Sequence, residues 1–337
     1  MLIADGTHGL RAVPVQDRRP AAGQLLIATE CSLISPGTEL HYLDRGLRTG
    51  ERHPLGYCAA GTVLEAGPAV PGFRPGDRVI AMGWGHAVHA DRILVPYRLC
   101  RPVPRGVDLT DAVLANLAAT AVHAADRSGL RRGDDVLVVG AGLIGQLVAQ
   151  VAAERAAHVT LVDTRPDRLR SAAALGFTVH TAAALAAGEL TGGAPPVGER
   201  RAFLCLSGEA SESVTAAARW ATAAGGRPVL VGVGRFRATV DFSVELGNLD
   251  VRYAARCGTG YRDDEYAHGR RDLDPPPGEA TVETNLQRAL DLIAAGWIRP
   301  ARMALETMPV GDAECAYGLL RSRPDLVSVR FTYGGRL

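Results

Sequence analysis

The stretch DDVLVVGAGLIGQLVAQVAAERAAHVTLVD, residues 134–163, decides the fold of this chain of 337 residues. An apolar run that suits a buried strand is followed by G-x-G-x-x-G at Gly140, Gly142 and Gly145, and then by an Ala-rich helical pattern. The motif alone is weak, but a strand before it and a helix after it are the context that it requires. We therefore predict a βαβ unit whose glycine turn holds a dinucleotide diphosphate at a helix N-terminus.

The three glycines have separate predicted roles. Gly140 permits the tight turn, Gly142 lets the backbone approach the diphosphate, and Gly145 lets the helix pack against the strand. Strand-like runs continue to alternate with helical runs as far as residue 257, which predicts a parallel sheet with its ligand at the carboxyl ends of the strands. The further residues expected at the cofactor are Thr120, Leu143, Ile144, Thr164, Ser207, Gly208, Val231 and Gly232.

Asp163 is the predicted determinant of cofactor choice. It ends the second strand-like run, eighteen residues after Gly145, which is about the distance expected for a carboxylate on the adenosine ribose. Its charge would accept hydrogen bonds from two hydroxyl groups and repel a 2′-phosphate, which favours NAD. Arg165 and Arg168 are close by in the sequence and could neutralise a 2′-phosphate, so NADP stays possible.

The composition excludes several classes of protein. With 37 basic and 36 acidic residues the net charge is +1, so nucleic acids and anionic membranes are not expected as partners. The chain contains no lysine, which excludes Schiff-base chemistry, a P-loop and the Tyr-x-x-x-Lys dyad of short-chain dehydrogenases. The six cysteines are widely spaced, and residues 1–19 lack the apolar core of a secretion signal. We therefore expect a cytoplasmic protein.

Two textures divide the chain. From 1 to 117, short apolar runs broken by Gly and Pro predict strands and turns, whereas 118–257 alternates strand-like and helical runs. A polar segment, an amphipathic helix and a last strand follow. We predict one domain from 1–117 and 258–337 and a second from 118–257. In the second, ATVDFSVELG (238–247) is expected to be a strand that pairs with its copy in a homodimer.

Several short motifs in a fixed order resemble those of the medium-chain dehydrogenase/reductase superfamily along the whole chain. They are GTELH (37–41), LGYCAAGTV (55–63), PGDRV (75–79), HAD (89–91), ATA (119–121) and the glycine turn from 140. The resemblance implies an α/β protein with a GroES-like β-rich catalytic domain and a doubly wound Rossmann domain.

The sequence departs from the zinc-binding members of that superfamily. They hold a catalytic metal with a Cys, a His and a later Cys or Asp, and the corresponding places here look like Ser35 or Pro36, Tyr57 and Asn116. These side chains are not a zinc ligand set. The chain therefore resembles the zinc-less branch and is similar to bacteriochlorophyllide dehydrogenase-type enzymes, so no zinc is expected. A weaker alternative metal cluster is His86, His89, Asp91 and Cys100.

Without zinc, another group must remove the hydroxyl proton of an alcohol. The resemblance implies a proton relay through Thr38 and His41, although a helix cap and a surface histidine are the alternative. Tyr57 is expected to donate a hydrogen bond to the substrate oxygen, because a free phenol is a poor base. The segment 258–266 suits a substrate with several hydroxyl or amino groups. The other expected substrate contacts are Glu39, His53, His89, Asn116, Tyr261 and Glu265.

These features predict a zinc-independent, NAD(P)-dependent oxidoreductase that interconverts a secondary alcohol and a ketone. Its substrate is expected to be a polar small molecule such as a sugar, a cyclitol or a natural-product intermediate. Reduction of a carbon–carbon double bond conjugated to a carbonyl, as in zinc-less quinone and enoyl reductases, is the second hypothesis. A nucleotide-binding protein without catalysis is the third.

Overall fold

The computed structural model describes residues 1–6, 9–15, 18–156, 158–190 and 198–334. Within these ranges no helix is long and apolar enough to cross a membrane. The strands are β1 (Leu2–Asp5), β2 (Gly9–Ala12), β3 (Gln24–Leu33), β4 (His53–Pro54), β5 (Cys58–Ala66), β6 (Arg78–Met82), β7 (Arg92–Pro96), β8 (Cys100–Pro102), β9 (Asp135–Val139), β10 (His158–Asp163), β11 (Thr178–Thr181), β12 (Arg200–Leu204), β13 (Ser207–Glu209), β14 (Val229–Gly232), β15 (Arg235–Arg237), β16 (Asp250–Tyr253), β17 (Leu305–Pro309) and β18 (Ser328–Thr332). The helices are α1 (Pro36–Thr49), α2 (Leu109–Ala112), α3 (Ala115–Ser128), α4 (Leu143–Ala153), α5 (Pro166–Ala174), α6 (Ala182–Ala186), α7 (Ser211–Thr222), α8 (Asp264–Ala267), α9 (Val282–Ala294) and α10 (Ala313–Ser322).

Six parallel strands in the order β11-β10-β9-β12-β14-β16 form one sheet. The middle strands β9 and β12 are buried along their whole length. Alternate side chains of β9 enter two different hydrophobic clusters, because both faces of the sheet are covered. In chain order the six strands read 3-2-1-4-5-6, and the direction of winding reverses between β9 and β12. The predicted doubly wound parallel sheet is confirmed.

A seven-stranded sheet in the order β17-β18-β3-β5-β6-β8, with β7 also paired to β3, forms the second domain. Its pairs are antiparallel except for β17 with β18. Because β18 pairs with β3, the C-terminal part of the chain returns to the N-terminal domain. The predicted mixed architecture, a β-rich domain beside a parallel-sheet domain, is therefore confirmed.

Helix α3 links the two domains. The change of sequence texture at residue 117 falls inside this helix, which packs against α4 of the parallel-sheet domain and against α9. Eleven of its fourteen residues are buried, so it has no solvent-exposed face at which a linker could begin. The predicted boundary between 117 and 118 therefore cuts a single packed element.

The segment 238–247 is not a strand, so the prediction of a strand there was wrong. Residues 238–243 are irregular and Val244–Leu246 form a 3-10 turn. β16, which follows the segment in the chain, pairs with β14 and forms the edge of the sheet. The position beside β14 is therefore already occupied. Leu246 is buried, whereas Phe242 and Val244 are 70% and 97% exposed. Two of the three alternating apolar side chains are therefore on the surface.

Candidate functional site

The glycine turn lies at the carboxyl end of β9, where the winding of the sheet reverses. Gly140 has a φ of +103°, and a Cβ there would overlap the carbonyl oxygen of Cys205. A Cβ on Gly145 would overlap the carbonyl oxygen of Gly140. A Cβ on Gly142 would meet only the Arg168 guanidinium, at 3.9 Å. The turn therefore leaves open space at Gly142, directly before α4 begins with Leu143 and Ile144.

Asp163 ties this turn to the next βα turn. Its carboxylate accepts hydrogen bonds from the backbone N–H of Ala141 at 2.8 Å and of Arg165 at 2.9 Å. The Thr164 hydroxyl lies 3.5 Å from it, and Arg168 Nη1 lies 3.7 Å away. Each carboxylate oxygen can accept a second hydrogen bond. A carboxylate and a guanidinium thus flank the open face of the glycine turn.

The other expected cofactor residues differ in what they offer. Ser207 and Gly208 lie exposed in β13, just after β12, and Gly232 ends β14. These positions share the carboxyl edge of the sheet with the glycine turn. Thr120 is half-buried in α3. Val231 is a correction, because its side chain is fully buried in the core and can contact no ligand.

Tyr57 is held at the start of the second domain's site. Its hydroxyl donates to Ser35 Oγ at 2.7 Å, and the Thr38 hydroxyl is a further hydrogen-bond partner. Ser35 is the residue before α1, and Thr38 lies in the first turn of that helix. Burial raises the pKa of Tyr57 well above that of a free phenol and outweighs both hydroxyl groups. Tyr57 is therefore a protonated donor at neutral pH.

A pocket of about 420 Å³ lies beside Tyr57. The Trp84 ring forms one wall, with its centroid 5.9 Å from that of Tyr57 and 4.4 Å from that of Tyr42. The backbone N–H of Trp84 donates to the Tyr261 hydroxyl at 3.2 Å, which fixes the opposite wall. The remaining lining residues are Gly83, His86, Leu99, Arg262, Asp263, Asp264 and Ala267. The pocket therefore combines an aromatic wall with a charged rim.

The two predicted relay residues lie on one face of α1 but have different partners. Thr38 contacts Tyr57, whereas His41 Nε2 lies 2.6 Å from Arg235 Nη1. Burial and then the Arg235 guanidinium lower the pKa of His41. Across the described ranges, no hydrogen bond joins Thr38 directly to His41. A relay between them needs a bridging group.

Three expected substrate contacts are corrections, because Glu39, His89 and Asn116 are fully buried. The Glu39 carboxylate accepts from the Ser35 N–H at 2.7 Å and from the Tyr317 hydroxyl at 2.6 Å, and it lies 2.9 Å from His89 Nε2. Asn116 donates to the Ala59 carbonyl at 3.2 Å. These side chains support the Ser35–Tyr57 site from behind and do not reach a substrate.

The other expected contacts divide between the pocket and the surface. Tyr261 lines the pocket. His53 lies against the Tyr42 ring, with centroids 5.2 Å apart. Glu265 is a correction, since its carboxylate is exposed and hydrogen-bonds Arg270 outside the pocket. The next-door acids Asp263 and Asp264 line the pocket instead, because Asp263 caps α8 and turns Glu265 outward.

The weaker metal cluster is not assembled. His89 Nδ1 lies 2.7 Å from Ser32 Oγ in the buried network, whereas His86 lines the pocket. Asp91 is exposed and Cys100 is buried in β8. In the part of the chain that the structure describes, no three His, Cys, Asp or Glu side chains are grouped to hold a metal ion.

Three residues at the site were missed from the sequence, namely Tyr42, Trp84 and Arg235. Tyr42 could have been found, because it stands four residues after Thr38 and so shares its helix face. Trp84 lies between two glycines with positive φ, Gly83 and Gly85, which mark a tight loop without indicating a ligand. Arg235 could not have been found, because its partner lies 194 residues away.

Comparison with known proteins agrees with this architecture. Residues 135–191 match the family model described as 3-hydroxyacyl-CoA dehydrogenase, NAD binding domain. The chain is 29% identical to human sorbitol dehydrogenase (Homo sapiens) over 303 residues, which cover 77% of this chain and 82% of that protein. It is 29% identical over 306 residues to the spectinabilin polyketide synthase system protein NorB of Streptomyces orinoci. That match covers 89% of this chain, which spans only 13% of the length of NorB.

Among solved structures, the fold aligns with the Escherichia coli CFT073 protein described as short chain alcohol dehydrogenase (rspB), complexed with cofactor NADH. The TM-score is 0.75 at 18% identity, with 98% of each chain covered. The fold agreement extends over both domains, and the sequence agreement with sorbitol dehydrogenase over most of the chain. The chain is therefore similar, in fold over both domains and in sequence over most of its length, to oxidoreductases of the medium-chain alcohol dehydrogenase type.

Proposed function

We propose that this chain is a zinc-independent, NAD(P)-dependent oxidoreductase that interconverts a secondary alcohol and a ketone on a polar small molecule. The Tyr57 hydroxyl carries this proposal. It lies beside the aromatic pocket, is held by Ser35 at 2.7 Å, and stays protonated at neutral pH because it is buried. By turning its O–H from Ser35 Oγ to a bound ketone oxygen, this phenol would stabilise the negative charge that develops there.

NAD is the cofactor that we propose for the glycine turn. When bound, it would supply the hydride acceptor or donor. The free N–H groups at the start of α4, reached across Gly142, would receive the diphosphate. Asp163 has lone pairs left for ribose hydroxyl groups, and its charge opposes a 2′-phosphate. Arg168 keeps NADP as the alternative, because its buried Nε has no hydrogen-bond partner within the described chain.

Zinc does not fit the donor set at the place where zinc-binding relatives hold it. Ser35 and Tyr57 use their hydroxyl groups on each other, and the Asn116 amide donates to the Ala59 carbonyl. Glu39 is close to Ser35, but its carboxylate is already taken by three donors. Zinc prefers thiolate, imidazole or carboxylate ligands, and the hydroxyl and amide groups of Ser35, Tyr57 and Asn116 are none of these. We therefore assign the polarising role to Tyr57.

The pocket supports a ring-shaped, polyhydroxylated or amino-substituted substrate. Its volume of about 420 Å³ is within the range of small-molecule sites. Trp84 and Tyr42 offer flat apolar surfaces against which the face of a sugar or cyclitol ring can pack. Arg262, Asp263 and Asp264 offer donors and acceptors for hydroxyl or amino groups at the rim.

We expect the purified chain, stripped with a strong chelator, to bind NAD and to oxidise a secondary alcohol from a panel of polyols. Calorimetric titration measures binding, and the appearance of NADH measures turnover. Untreated protein is the control, and both samples are expected to give equal rates, with NAD bound more tightly than NADP. Activity that disappears with the chelator and returns with zinc contradicts zinc independence. Failure to bind either dinucleotide overturns the whole proposal.

Reduction of a carbon–carbon double bond conjugated to a carbonyl is the second candidate. The separation of the relay residues favours it, because Thr38 contacts Tyr57 while His41 is held by Arg235. Such a reduction needs no base at a carbinol carbon, and Tyr57 could polarise an enone carbonyl as well as a ketone. Substitution of both relay residues separates the two candidates. A protein that binds cofactor without catalysis would turn over neither an alcohol nor an enone.

We also propose a homodimer that forms at the β16 edge of the parallel sheet. β16 is the last strand of the described sheet, and Phe242, Val244, Val251 and Tyr253 expose apolar surface around it. Val244→Glu combined with Val251→Glu is expected to convert a dimer into a monomer, as measured by light scattering at micromolar concentration. Leu64→Glu, an exposed apolar site in β5, is expected to leave the dimer intact. A monomeric unsubstituted chain contradicts the proposal.

A further inference from the structure

Arg235 connects the parallel-sheet domain to the helix that carries the predicted base. It is the first residue of β15, three positions after β14 ends at Gly232. Its Nη1 lies 2.6 Å from Nε2 of His41, in the second turn of α1. A ligand of a doubly wound fold is expected at the carboxyl edge of the parallel sheet. The contact joins this edge to the other domain.

The backbone holds Arg235 in this position. Gly234 before it has a φ of +113°, and a Cβ there would lie 2.8 Å from the carbonyl oxygen of Leu206. β15 pairs in parallel with β13, with Arg235 opposite Ser207. The Tyr253 hydroxyl on β16 donates to the Gly234 carbonyl. The backbone on both sides of Arg235 is therefore held in place, and this places the Arg235 side chain within reach of His41.

The contact determines the state of His41. A guanidinium can only donate hydrogen bonds, so Nε2 of His41 must be the acceptor, and the ring proton is then on Nδ1. The imidazole is neutral in this arrangement, because a second proton on Nε2 would face the guanidinium directly. The Arg235 guanidinium is always charged, so it acts on His41 throughout the physiological pH range.

Within the described residues, the other charged groups that act on His41 are on its own helix. Arg45 and Arg48 act in the same direction as Arg235, and Asp44 opposes them. Arg45 also pairs with Glu51 at 2.9 Å. The Tyr42 ring packs edge-on against the imidazole and adds no charge. Of the cations near His41 in the described chain, Arg235 is the one whose hydrogen bond reaches the imidazole.

We propose that Arg235 is a positioning residue that keeps His41 neutral, as the Nδ1–H tautomer, and so ready to accept a proton from the substrate side. The catalytic part of this inference rests on the proposed dehydrogenase function, since only alcohol oxidation requires a neutral base. For that reaction a protonated His41 is inactive, so Arg235 extends activity toward lower pH. When Arg235 releases Nε2, the same nitrogen takes the substrate proton and Nδ1 can pass its own proton to solvent.

The state of His41 can be measured without turnover. We expect the His41 imidazole, followed by NMR and identified by its absence in His41→Gln, to titrate at higher pH in Arg235→Gln than in the unsubstituted chain. The midpoint rises because one cause of the lowered pKa is removed while burial, Arg45 and Arg48 remain. Arg237→Gln is the matched control, because it removes a charge from the same strand without touching His41. An unmoved midpoint in Arg235→Gln, or an equal rise in Arg237→Gln, overturns the proposal.

The pH profile of kcat/KM for alcohol oxidation tests the catalytic part. The acid limb is expected to move to higher pH in Arg235→Gln and to stay in place in Arg237→Gln. A moved NMR midpoint with an unmoved acid limb retains the contact but rejects its part in catalysis. If no alcohol is oxidised at all, the proposed function fails, while the NMR midpoint still decides whether Arg235 controls His41.

Discussion

A chain that carries Thr38→Val together with His41→Ala is expected to lose roughly 10²–10⁴-fold in kcat/KM for alcohol oxidation, the usual contribution of a positioned general base. Thr38 contacts the Tyr57 phenol at the proposed reaction centre, and His41 is the neutral imidazole on the same helix face. Removing both takes away the hydroxyl and the imidazole through which the substrate proton is proposed to leave. Steady-state kinetics with NAD and a responsive polyol measure the loss.

The loss of activity can be assigned to the catalytic step only if the double variant still binds its cofactor. Calorimetric titration is expected to give the NAD affinity of the unsubstituted chain, because the glycine turn and Asp163 are on a different domain. Thr49→Val is the matched helix control, since this hydroxyl bonds the Arg45 carbonyl at the exposed end of α1. A loss of less than tenfold contradicts the relay. Enone reduction that persists in the double variant supports the double-bond reductase instead.

The cofactor turn could be predicted from the sequence because its geometry is local. Strand β9, the three glycines and helix α4 all lie within thirty consecutive residues, and the atom that a Cβ on Gly145 would overlap, the Gly140 carbonyl oxygen, lies in the same stretch. The parallel sheet was also predictable, since strands that alternate with helices form parallel βαβ units. Short-range patterns thus determine this half of the molecule.

The acid–base site was harder to predict because the rotation of helix α1 about its axis determines which of its side chains face the cleft. Thr38 and His41 lie on one face of α1, whereas Glu39, between them in sequence, lies on the buried face with Leu43 and Gly46. A carboxylate beside a predicted base looks like a substrate contact in the sequence. Its partner Tyr317 stands 278 residues away, so only the folded chain reveals that Glu39 is internal.

The pocket wall depends on similarly distant contacts. The segment that contains Tyr261 is held against the β-rich domain by Arg98, whose guanidinium lies 4.6 Å from the centroid of the Tyr266 ring and 2.6 Å from Asp272. Arg98 precedes these partners by more than 160 residues. Nothing in the composition of the segment distinguishes this fixed wall from a solvated loop, which explains why Glu265 was predicted in the place of its neighbours.

Gly145→Ala is expected to destabilise the chain and to abolish measurable NAD binding. The new Cβ would overlap the Gly140 carbonyl oxygen, which belongs to backbone at the tightest point of the turn. Helix α4 must therefore move away from β9, at a cost of about 1–3 kcal/mol for an overpacked core site. That movement displaces the N–H groups that would receive the diphosphate. Thermal unfolding and calorimetric titration measure the two effects.

Gly142→Ala separates cofactor approach from folding. Gly142 has a φ of −72° and open space around a Cβ, so alanine is expected to leave the melting temperature unchanged. The same methyl group would occupy the space in front of α4, and NAD affinity is expected to fall by about tenfold or more, or at least about 1.4 kcal/mol. Gly318→Ala, on the exposed face of α10, is the control and should preserve binding while adding helix propensity. Undiminished NAD affinity in Gly142→Ala would mean that the diphosphate does not lie on this turn, because a diphosphate in contact with the Gly142 backbone would collide with the added methyl group.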